Sequence, residues 1–365
     1  MQIQDICKHL EEIAPLAYQE DYDNSGLIVG RKNREVTGVL VSLDCVESTV
    51  LEAMEKDCNL IVAHHPIVFE GLKRFNGSNY VQRTIEMAIK YDIAIYAIHT
   101  NLDNVLDRGV NSRIADRLNL KERIILQSKT GGLLKLASYV PKENTEAVLN
   151  ALFTAGAGKI GNYSACSFST DGFGTFKGNE HSNPVKGKKG VKHTENEQKI
   201  EVILKKELQY QVLNALIKSH PYEEVAYEFY PTLNTDQEVG SGLIGVMNDN
   251  LSAEQFLQYL KKHMECDVIR FTPYNESINK VAVCGGSGSF LLEAAKQAGA
   301  DAFVTADFKY HQFFDAENQL MICDLGHYES EKFTIDLLYD ILTEKFATFA
   351  VLKTEGDTNP IKYFH

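Results

Sequence analysis

Two adjacent histidines, His64 and His65, end the apolar run of NLIVAHHPIVF. A buried ring nitrogen without a partner costs on the order of 1–3 kcal/mol, so this pair predicts that something binds both rings. Side chains of a regular strand alternate between faces, and the two rings can address one point only where the strand ends. Pro66 favours such an end, and both rings would then project from the carboxyl end of the strand, where open α/β sheets bind ligands.

Further side chains of matching chemistry follow other predicted strands. Asp103 comes shortly after IAIYAIHT, and His327 and Glu331 lie four residues apart in DLGHYESE. Residues at that spacing share one face of a helix, so this imidazole and this carboxylate are expected to converge. Asp44 ends VLVSLD in the same manner, whereas His99 is interpreted as a neighbour of the ligands or a core residue.

Together, these side chains predict a metal centre. Three imidazoles and two carboxylates are too many for one catalytic zinc ion and suit two divalent ions that share a carboxylate and a water. Such nitrogen and oxygen ligands admit Zn, Mn, Fe, Co or Ni without choosing among them. Each residue alone also has a structural interpretation, and only their joint placement after strands favours metal. The predicted ligands are His64, His65, Asp103, His327 and Glu331.

A glycine-rich turn, CGGSGS, follows another predicted strand and opens a predicted helix. Its backbone amides could bind a phosphate at the positive helix end, although a tight strand-to-helix turn is an equally good interpretation. The spacing is neither that of a P-loop nor that of a nucleophile elbow. In TADFKYHQ, Asp307 and His311 are candidate catalytic groups for proton transfer. The candidate substrate-binding residues of the turn are Gly285, Gly286, Ser287 and Gly288.

The elements that must position these residues alternate between strands and helices in both terminal parts. Apolar strands in VTGVLVSLD, LIVAHH and IAIYAIHT are separated by predicted helices over residues 48–56 and 80–90. The C-terminal part repeats the pattern with KVAVCGGSGS, AFVTAD and QLMICDLGH. Nearly continuous apolar strands between helices predict an α/β fold with a largely parallel sheet covered on both faces.

The central part of the chain has a different pattern, in which strand, helix and strand occur twice. The pentapeptide VLNAL lies in each predicted helix, at Val148–Leu152 and Val212–Leu216. This repeat supports a duplicated unit of the ferredoxin-like plan, βαββαβ. We therefore expect an outer α/β domain, made of residues 1–125 and 235–365, that is interrupted by an α+β insert over residues 126–234.

Composition narrows the class of protein. With 365 residues, of which 44% are hydrophobic, the chain is long enough for roughly two domains. A net charge of −13 disfavours nucleic-acid binding, because phosphate contacts dominate that affinity. A signal peptide and an apolar run of about 20 residues are both missing, so a cytoplasmic protein without membrane contact is expected. The seven scattered cysteines indicate core residues rather than disulfides or a thiolate zinc site.

Several motifs occur in the order typical of one family. They are DNSGLIVG, VSLD, AHHPIVF, HTNLD, CGGSGS, TADFKYHQFFD and GHYESE. In this order they resemble the Nif-three-like family, whose members are also described as GTP cyclohydrolase I type 2 homologues. The segment HPYEEVAYEFYP, at His220–Pro231, is similar to the CutA-like or PII-like insert of the longer bacterial members. The sequence departs from the commoner family pattern at Tyr22 and Ala306.

The resemblance implies two metal ions on the five residues already singled out, with Glu331 as the bridging ligand. It also implies a homohexamer whose sites face an internal cavity. The leading hypothesis is a dinuclear metal hydrolase that acts on a nucleotide or related heterocycle. A GTP substrate would be attacked at C8 while the glycine-rich turn held its phosphates. The alternatives are a non-enzymatic metal-delivery assembly with a ligand-sensing insert, and an interaction scaffold in which metal only stabilises the fold.

Overall fold

The computed structural model describes residues 1–364, which form two compact units. The outer unit comprises Met1–Ser128 and the described chain from Glu238 onward, and the insert unit comprises Lys129–Gln237. The insert unit begins at Lys129 rather than at 126, because the strand that ends at Ser128 pairs within the outer unit.

Strands and helices are numbered here in chain order. The strands are β1 Gly26–Val29, β2 Val39–Ser42, β3 Leu60–Ala63, β4 Ala94–Ala97, β5 Lys121–Ser128, β6 Leu133–Pro141, β7 Phe168–Phe176, β8 His193–Lys205, β9 Tyr227–Pro231, β10 Gly240–Leu251, β11 Arg270–Phe271, β12 Ile278–Ser287, β13 Ala302–Ala306, β14 Met321–Asp324 and β15 Val351–Lys353. The α-helices are α1 Ile3–Ile13, α2 Glu47–Glu55, α3 Tyr80–Lys90, α4 Thr100–Asp103, α5 Val110–Arg117, α6 Thr145–Thr154, α7 Gln209–Ser219, α8 Ala253–Met264, α9 Leu292–Gln297, α10 His327–Glu331 and α11 Thr334–Lys345.

The outer unit is α/β, as predicted, but it contains two mixed sheets instead of one largely parallel sheet. The strand orders are β1-β4-β3-β2-β15 in the first sheet and β11-β14-β13-β12-β10-β5 in the second. Strands β2, β3 and β4 are parallel to one another, and so are β12, β13 and β14. Strand β15 joins the first sheet and β5 joins the second, so each terminal part supplies a strand to the sheet of the other.

Alternate residues of the first sheet face two apolar cores, because strand side chains alternate between faces. Val39 and Val62 belong to a central core, which also contains residues of α1, α5, α8, α11 and the second sheet. Leu40 and Ile61 belong to a separate core that includes residues of α2 and α3. Coverage of both faces explains why the central strands of this sheet are apolar at nearly every position.

The insert unit has the element order β6-α6-β7-β8-α7-β9. Its sheet has the order β7-β8-β6-β9, and all three pairings are antiparallel. This is the strand order of a split βαβ arrangement. In the repeated pentapeptide, Val148 and Leu152 of α6 and Val212 and Leu216 of α7 are buried in one apolar core. The repeat therefore supplies the same packing positions in both helices.

The cysteines are unpaired in the described chain, and all except Cys166 are buried, which confirms their predicted place in the core. None of the helices within residues 1–364 has the length and apolar character that crossing a bilayer requires.

Candidate metal centre

The carboxyl ends of parallel strands from both sheets of the outer unit lie around one cluster of polar side chains. In the first sheet, Asp44 follows β2, the pair His64 and His65 follows β3, and His99 follows β4. In the second sheet, α10 begins at His327 shortly after β14. The cluster thus lies where open α/β sheets bind their ligands.

Glu331 lies at the centre of the cluster and is 2% exposed. Its Oε2 is 2.9 Å from Nε2 of His65 and 3.1 Å from Nε2 of His327. Its Oε1 is 3.8 Å from Nε2 of His64, and that nitrogen is 3.6 Å from Oδ1 of Asp103. The structure therefore brings the five predicted ligands together: two groups of three share Glu331, and a third group joins His64 and His65 to His99.

Each of the three imidazoles is oriented by a hydrogen bond at its other ring nitrogen. The acceptors of the Nδ1 atoms, at 2.8, 2.8 and 2.7 Å, are the Ile98 carbonyl for His64, Asp44 for His65 and Asp307 for His327. When Nδ1 carries the donated proton, Nε2 presents a lone pair to the centre of the cluster. Such orienting contacts are typical of histidines that bind metal.

Two buried polar atoms of the cluster lack hydrogen-bond partners in the described chain, and this bears on whether a metal ion fits there. Nε2 of His64 and Oδ1 of Asp103 have no hydrogen-bond partner among the described residues. An unpaired buried polar atom costs about 1–3 kcal/mol, and lone pairs that face one another repel unless a cation lies between them. Imidazole nitrogens and carboxylate oxygens are ligands of divalent ions such as zinc. The donor set therefore fits a divalent metal ion.

The imidazoles nearest to Glu331 are surrounded by carboxylates. Burial opposes protonation of His65, but its hydrogen bonds with Asp44 and Glu331 raise its pKa to about 9. Burial likewise opposes protonation of His327, and Asp307 together with Glu331 raises that pKa to about 11. Both shifts show that the surroundings of these two rings favour positive charge.

The two carboxylates of the predicted ligand set have opposite shifts. Burial opposes ionisation of Glu331, yet the close imidazoles of His327 and His65 hold its pKa well below the usual range. Burial and the charge of Glu331 raise the pKa of Asp103 well above its usual range. Burial also lowers the pKa of His64, so the half of the cluster formed by His64 and Asp103 favours neutral groups when no cation is present.

The glycine-rich turn makes room for Glu331, and two of its amides are already engaged. The N–H of Gly285 donates to Asn111 Oδ1 and the N–H of Gly286 donates to Ser330 Oγ, both at 3.0 Å. Gly286 has φ +60°, and a Cβ at this position would lie 2.4 Å from Glu331 Oε1. The expectation that these two amides cradle a phosphate is therefore not met, because both already have acceptors within the protein.

The other two residues of the glycine-rich turn, Ser287 and Gly288, differ in their exposure. Ser287 is exposed and lines the cavity beside the cluster. Gly288 is buried, and a Cβ there would lie 2.3 Å from Thr305 Oγ1. Gly288 thus serves close packing, and Ser287 is the residue of this turn with a side chain that a ligand can reach.

Neither candidate for proton transfer faces the cavity. Asp307 accepts the Nδ1 hydrogen bond of His327, which gives it an orienting contact. This contact also lowers the pKa of Asp307 and so keeps it ionised. His311 is exposed, and its ring centroid lies 5.2 Å from that of Tyr310 and 6.4 Å from that of Phe314. The two residues are thus placed for other contacts, and the cavity lining includes neither of them.

His99 and Asp23 form a pair whose role the sequence reasoning missed. Nδ1 of His99 hydrogen bonds to Oδ1 of Asp23 at 2.8 Å. Its ring centroid lies 5.3 Å from that of His64 and 5.4 Å from that of His65. Burial opposes ionisation of Asp23, but hydrogen bonds from His99 and Thr100 lower its pKa far below the usual range. The feature of the sequence that could have pointed to Asp23 is its position at the start of the motif DNSGLIVG.

A cavity of about 770 Å³ opens onto the cluster, and all of its lining residues belong to the outer unit. Part of the lining comes from the C-terminal segment, residues 354–361. In this segment, Oγ1 of Thr358 donates to Asp44 Oδ2 at 2.7 Å, while Oδ1 of Asp44 holds His65. No pattern in the sequence pointed to this contact, because the segment around Thr358 has no regular secondary structure.

The fold and the cluster define a class: an α/β protein with a candidate metal centre at the strand ends of two sheets. Over residues 1–360, the sequence matches the family described as Duf34/NIF3 (NGG1p interacting factor 3). This protein belongs to the Duf34/NIF3 family, as its motifs indicate.

Individual relatives and solved structures agree with this assignment. A Bacillus subtilis (strain 168) protein named GTP cyclohydrolase 1 type 2 homolog is 40% identical over 367 residues, which cover 99% of this chain and 98% of that protein. The crystal structure of a Bacillus cereus protein related to NIF3 matches with 35% identity and a TM-score of 0.85, covering 100% of this chain and 99% of that one. A Staphylococcus aureus structure matches with 30% identity and a TM-score of 0.79 over the same shares.

Proposed function

We propose that this protein is a divalent-metal-dependent hydrolase with a dinuclear centre, and that it acts on a nucleotide or a related heterocycle. The observation that carries the proposal is that two of the three possible metal-binding groups in the cluster share Glu331. His64 and Asp103 form one group with it, and His65 and His327 form the other. A pair of divalent ions in such a site supplies Lewis acidity and lowers the pKa of a water.

Other side chains of the cluster have separate tasks. Asp44 and Asp307 hold the rings of His65 and His327 through their Nδ1 atoms. We assign proton transfer to His99, which lines the cavity and is held by a buried aspartate, in place of Asp307 and His311. An imidazole that a carboxylate orients, beside a cavity, is a common general acid or base.

The name of the Bacillus subtilis relative supports hydrolysis of a ring as the reaction class, since it includes GTP cyclohydrolase. The size of the cavity is compatible with this reaction class, because its volume lies within the range of about 300–1,000 Å³ that is typical of small-molecule sites.

Metal content and turnover together test the proposal. Protein loaded separately with Zn, Mn, Fe, Co or Ni would be assayed on nucleosides, nucleotides, amides and phosphate esters, with metal measured by mass spectrometry. We expect about two ions per chain and saturable hydrolysis with at least one metal. Glu331→Gln should abolish turnover, and His99→Gln should lower kcat while the metal is retained.

Glu254→Gln is the matched control, because Glu254 is exposed on α8. It should leave metal content and turnover unchanged. Transfer of metal to a metal-free client protein, with no hydrolysis of any compound, would contradict the proposal and support a metal-delivery assembly.

We also propose that six copies form the homohexamer that the family resemblance implies. Phe271, Tyr310 and Phe314 are largely exposed on the outer unit, and clustered exposed aromatic side chains are typical of interfaces. Light scattering should give six times the 40.9 kDa of one chain, and Phe314→Glu should lower this mass. A wild-type monomer at micromolar concentration would contradict the hexamer.

A further inference from the structure

The rim of the cavity beside the cluster carries large apolar side chains that are left exposed. Tyr22 is 69%, Phe69 52% and Phe290 63% exposed, and all three line the cavity. The ring of Phe69 lies edge-on to that of His99, with 5.8 Å between centroids. Exposed aromatic faces around a cavity favour a planar ligand, because stacking removes apolar surface from water. The walls above the cluster thus suit a flat ring.

The charged side chains of the same cavity are mostly acidic. In the described chain four carboxylates line it: Asp103 and Glu331 are predicted metal ligands, Asp44 holds the ring of His65, and the fourth belongs to Glu20; no lysine and no arginine line it. Polyphosphates are bound in proteins by arginine, lysine, backbone amides or metal ions. A triphosphate that lay along these walls, away from the cluster, would meet no lysine or arginine among the described residues.

The amides of Gly285 and Gly286 in the glycine-rich turn do not replace the missing cations. The N–H groups of Gly285 and Gly286 already donate to Asn111 and Ser330. The helix after the turn, α9, is only 6 residues long, and its dipole is correspondingly weak. Lys73 and Arg74 lie in the chain between two lining residues, but they do not line the cavity themselves. The glycine-rich turn therefore offers no built phosphate site.

The aromatic rim and the lack of cationic side chains in the described lining limit which part of a nucleotide can bind at the cluster. If the phosphates of a nucleotide bound there, its base would point outward and could not be hydrolysed. If the base bound there, the phosphates would lie along walls that have, within residues 1–364, no lysine or arginine to neutralise their charge. A ring without a polyphosphate fits both the aromatic rim and these walls.

We infer that the substrate of this site is an uncharged planar nitrogen heterocycle, free or as its nucleoside, and not a nucleoside triphosphate. The inference rests on the proposed ring hydrolysis and narrows its substrate class. It also assigns Phe69 and Phe290 as residues that recognise the ring. Because the recognition is apolar, binding of the ring should depend only weakly on ionic strength.

Calorimetric titrations of the metal-loaded full chain with guanosine, GMP and GTP test the inference. We expect guanosine to bind about tenfold more tightly than GTP, with GMP between them. Phe290→Ala and Phe69→Ala should each weaken guanosine binding by about tenfold, the usual effect of losing one stacking partner. Phe168→Ala is the matched control, since Phe168 is 67% exposed but lies outside the cavity lining, and it should change nothing.

Metal content is measured after each titration, because GTP itself chelates divalent ions. Equal or tighter binding of GTP to protein that keeps its metal would overturn the inference, whether or not Lys73→Ala and Arg74→Ala abolish that binding. The absence of any nucleoside binding would overturn it as well. If guanosine binds as expected and yet no heterocycle is hydrolysed, the proposed hydrolase fails while the binding preference remains.

Discussion

Gly286 leaves the space that the carboxylate of Glu331 occupies at the centre of the cluster. A Cβ at this position would lie 2.4 Å from Oε1 and 3.2 Å from His327 Cε1. The residue also has φ +60°, a conformation in which a side chain costs roughly 1–2 kcal/mol. A substitution here therefore combines backbone strain with displacement of the shared ligand.

We expect Gly286→Ala to lose most of its metal, because the added methyl group displaces Glu331. Gly299→Ala is the matched control. Gly299 has φ +70° with nothing near its Cβ position, so this variant has the backbone strain without displacing a ligand. Metal content by mass spectrometry and the melting temperature of both variants check this. Equal metal content in the two folded variants would show that Glu331 is not crowded at this position.

Protons and metal ions compete for the same imidazoles. The pKa values of His65 and His327, about 9 and about 11, mean that both rings hold protons at neutral pH until a metal ion displaces them. Metal affinity should therefore rise with pH between about 6 and 8, by about tenfold per pH unit for each proton released. Chelator competition measures this slope.

A matched variant controls the pH experiment. His311→Gln removes an exposed imidazole outside the cavity and should leave the slope unchanged. An affinity that is flat in pH, or that falls as pH rises, would contradict the placement of these imidazoles as metal ligands.

The C-terminal segment acts on the cluster through a single side chain. Thr358 donates to Asp44, and Asp44 orients His65, so the segment reaches the centre through two hydrogen bonds. Thr358→Val should weaken metal binding by about fivefold, the value of one hydrogen bond of about 1 kcal/mol. Chelator competition would measure the affinity.

Thr343→Val is the control for this element, since the hydroxyl of Thr343 bonds only to backbone carbonyls of its own helix. It should leave the metal affinity unchanged. An affinity of Thr358→Val equal to that of the wild type would show that Asp44 needs no support from the C-terminal segment.

Among the strands that position the site, those with both faces buried could be predicted from the sequence. Strands β2, β3 and β4 are apolar at nearly every position, and this pattern identified them. Strand β5 is mostly exposed or half-buried, and β11 has only two residues, so neither gives a strong periodic signal. The exchange of β5 and β15 between sheets depends on pairings that no local pattern reveals.

In the cluster, too, local patterns could be predicted from the sequence and contacts between distant residues could not. Its five predicted ligands could be recognised because each follows a strand or shares a helix face with another. The partners that orient them could not, since Asp23 is 76 residues from His99, and Thr358 is 314 residues from Asp44. The engagement of the Gly285 amide could not be predicted either, because its acceptor, Asn111, lies 174 residues away in the sequence.

At the scale of the whole molecule, the outer unit contains the entire cluster. Ser128 and Gly240 are paired residues of β5 and β10, so the two ends of the outer unit that flank the insert unit lie about 5 Å apart. A short glycine-rich linker in place of residues 129–237 should therefore leave a folded unit. We expect it to keep the metal content of the full chain.

Circular dichroism and mass spectrometry of this deletion variant check the expectation, with the full chain as reference. A folded variant without metal would mean that residues of the insert unit take part in metal binding.

Anomalous X-ray diffraction from crystals of the metal-loaded protein tests directly whether two ions share Glu331. We expect two anomalous peaks, one on each side of Glu331, with ligand distances of about 2.0–2.2 Å. One peak should lie beside His64 and Asp103, and the other beside His65 and His327. A single peak, or two peaks that do not share Glu331, would contradict this expectation.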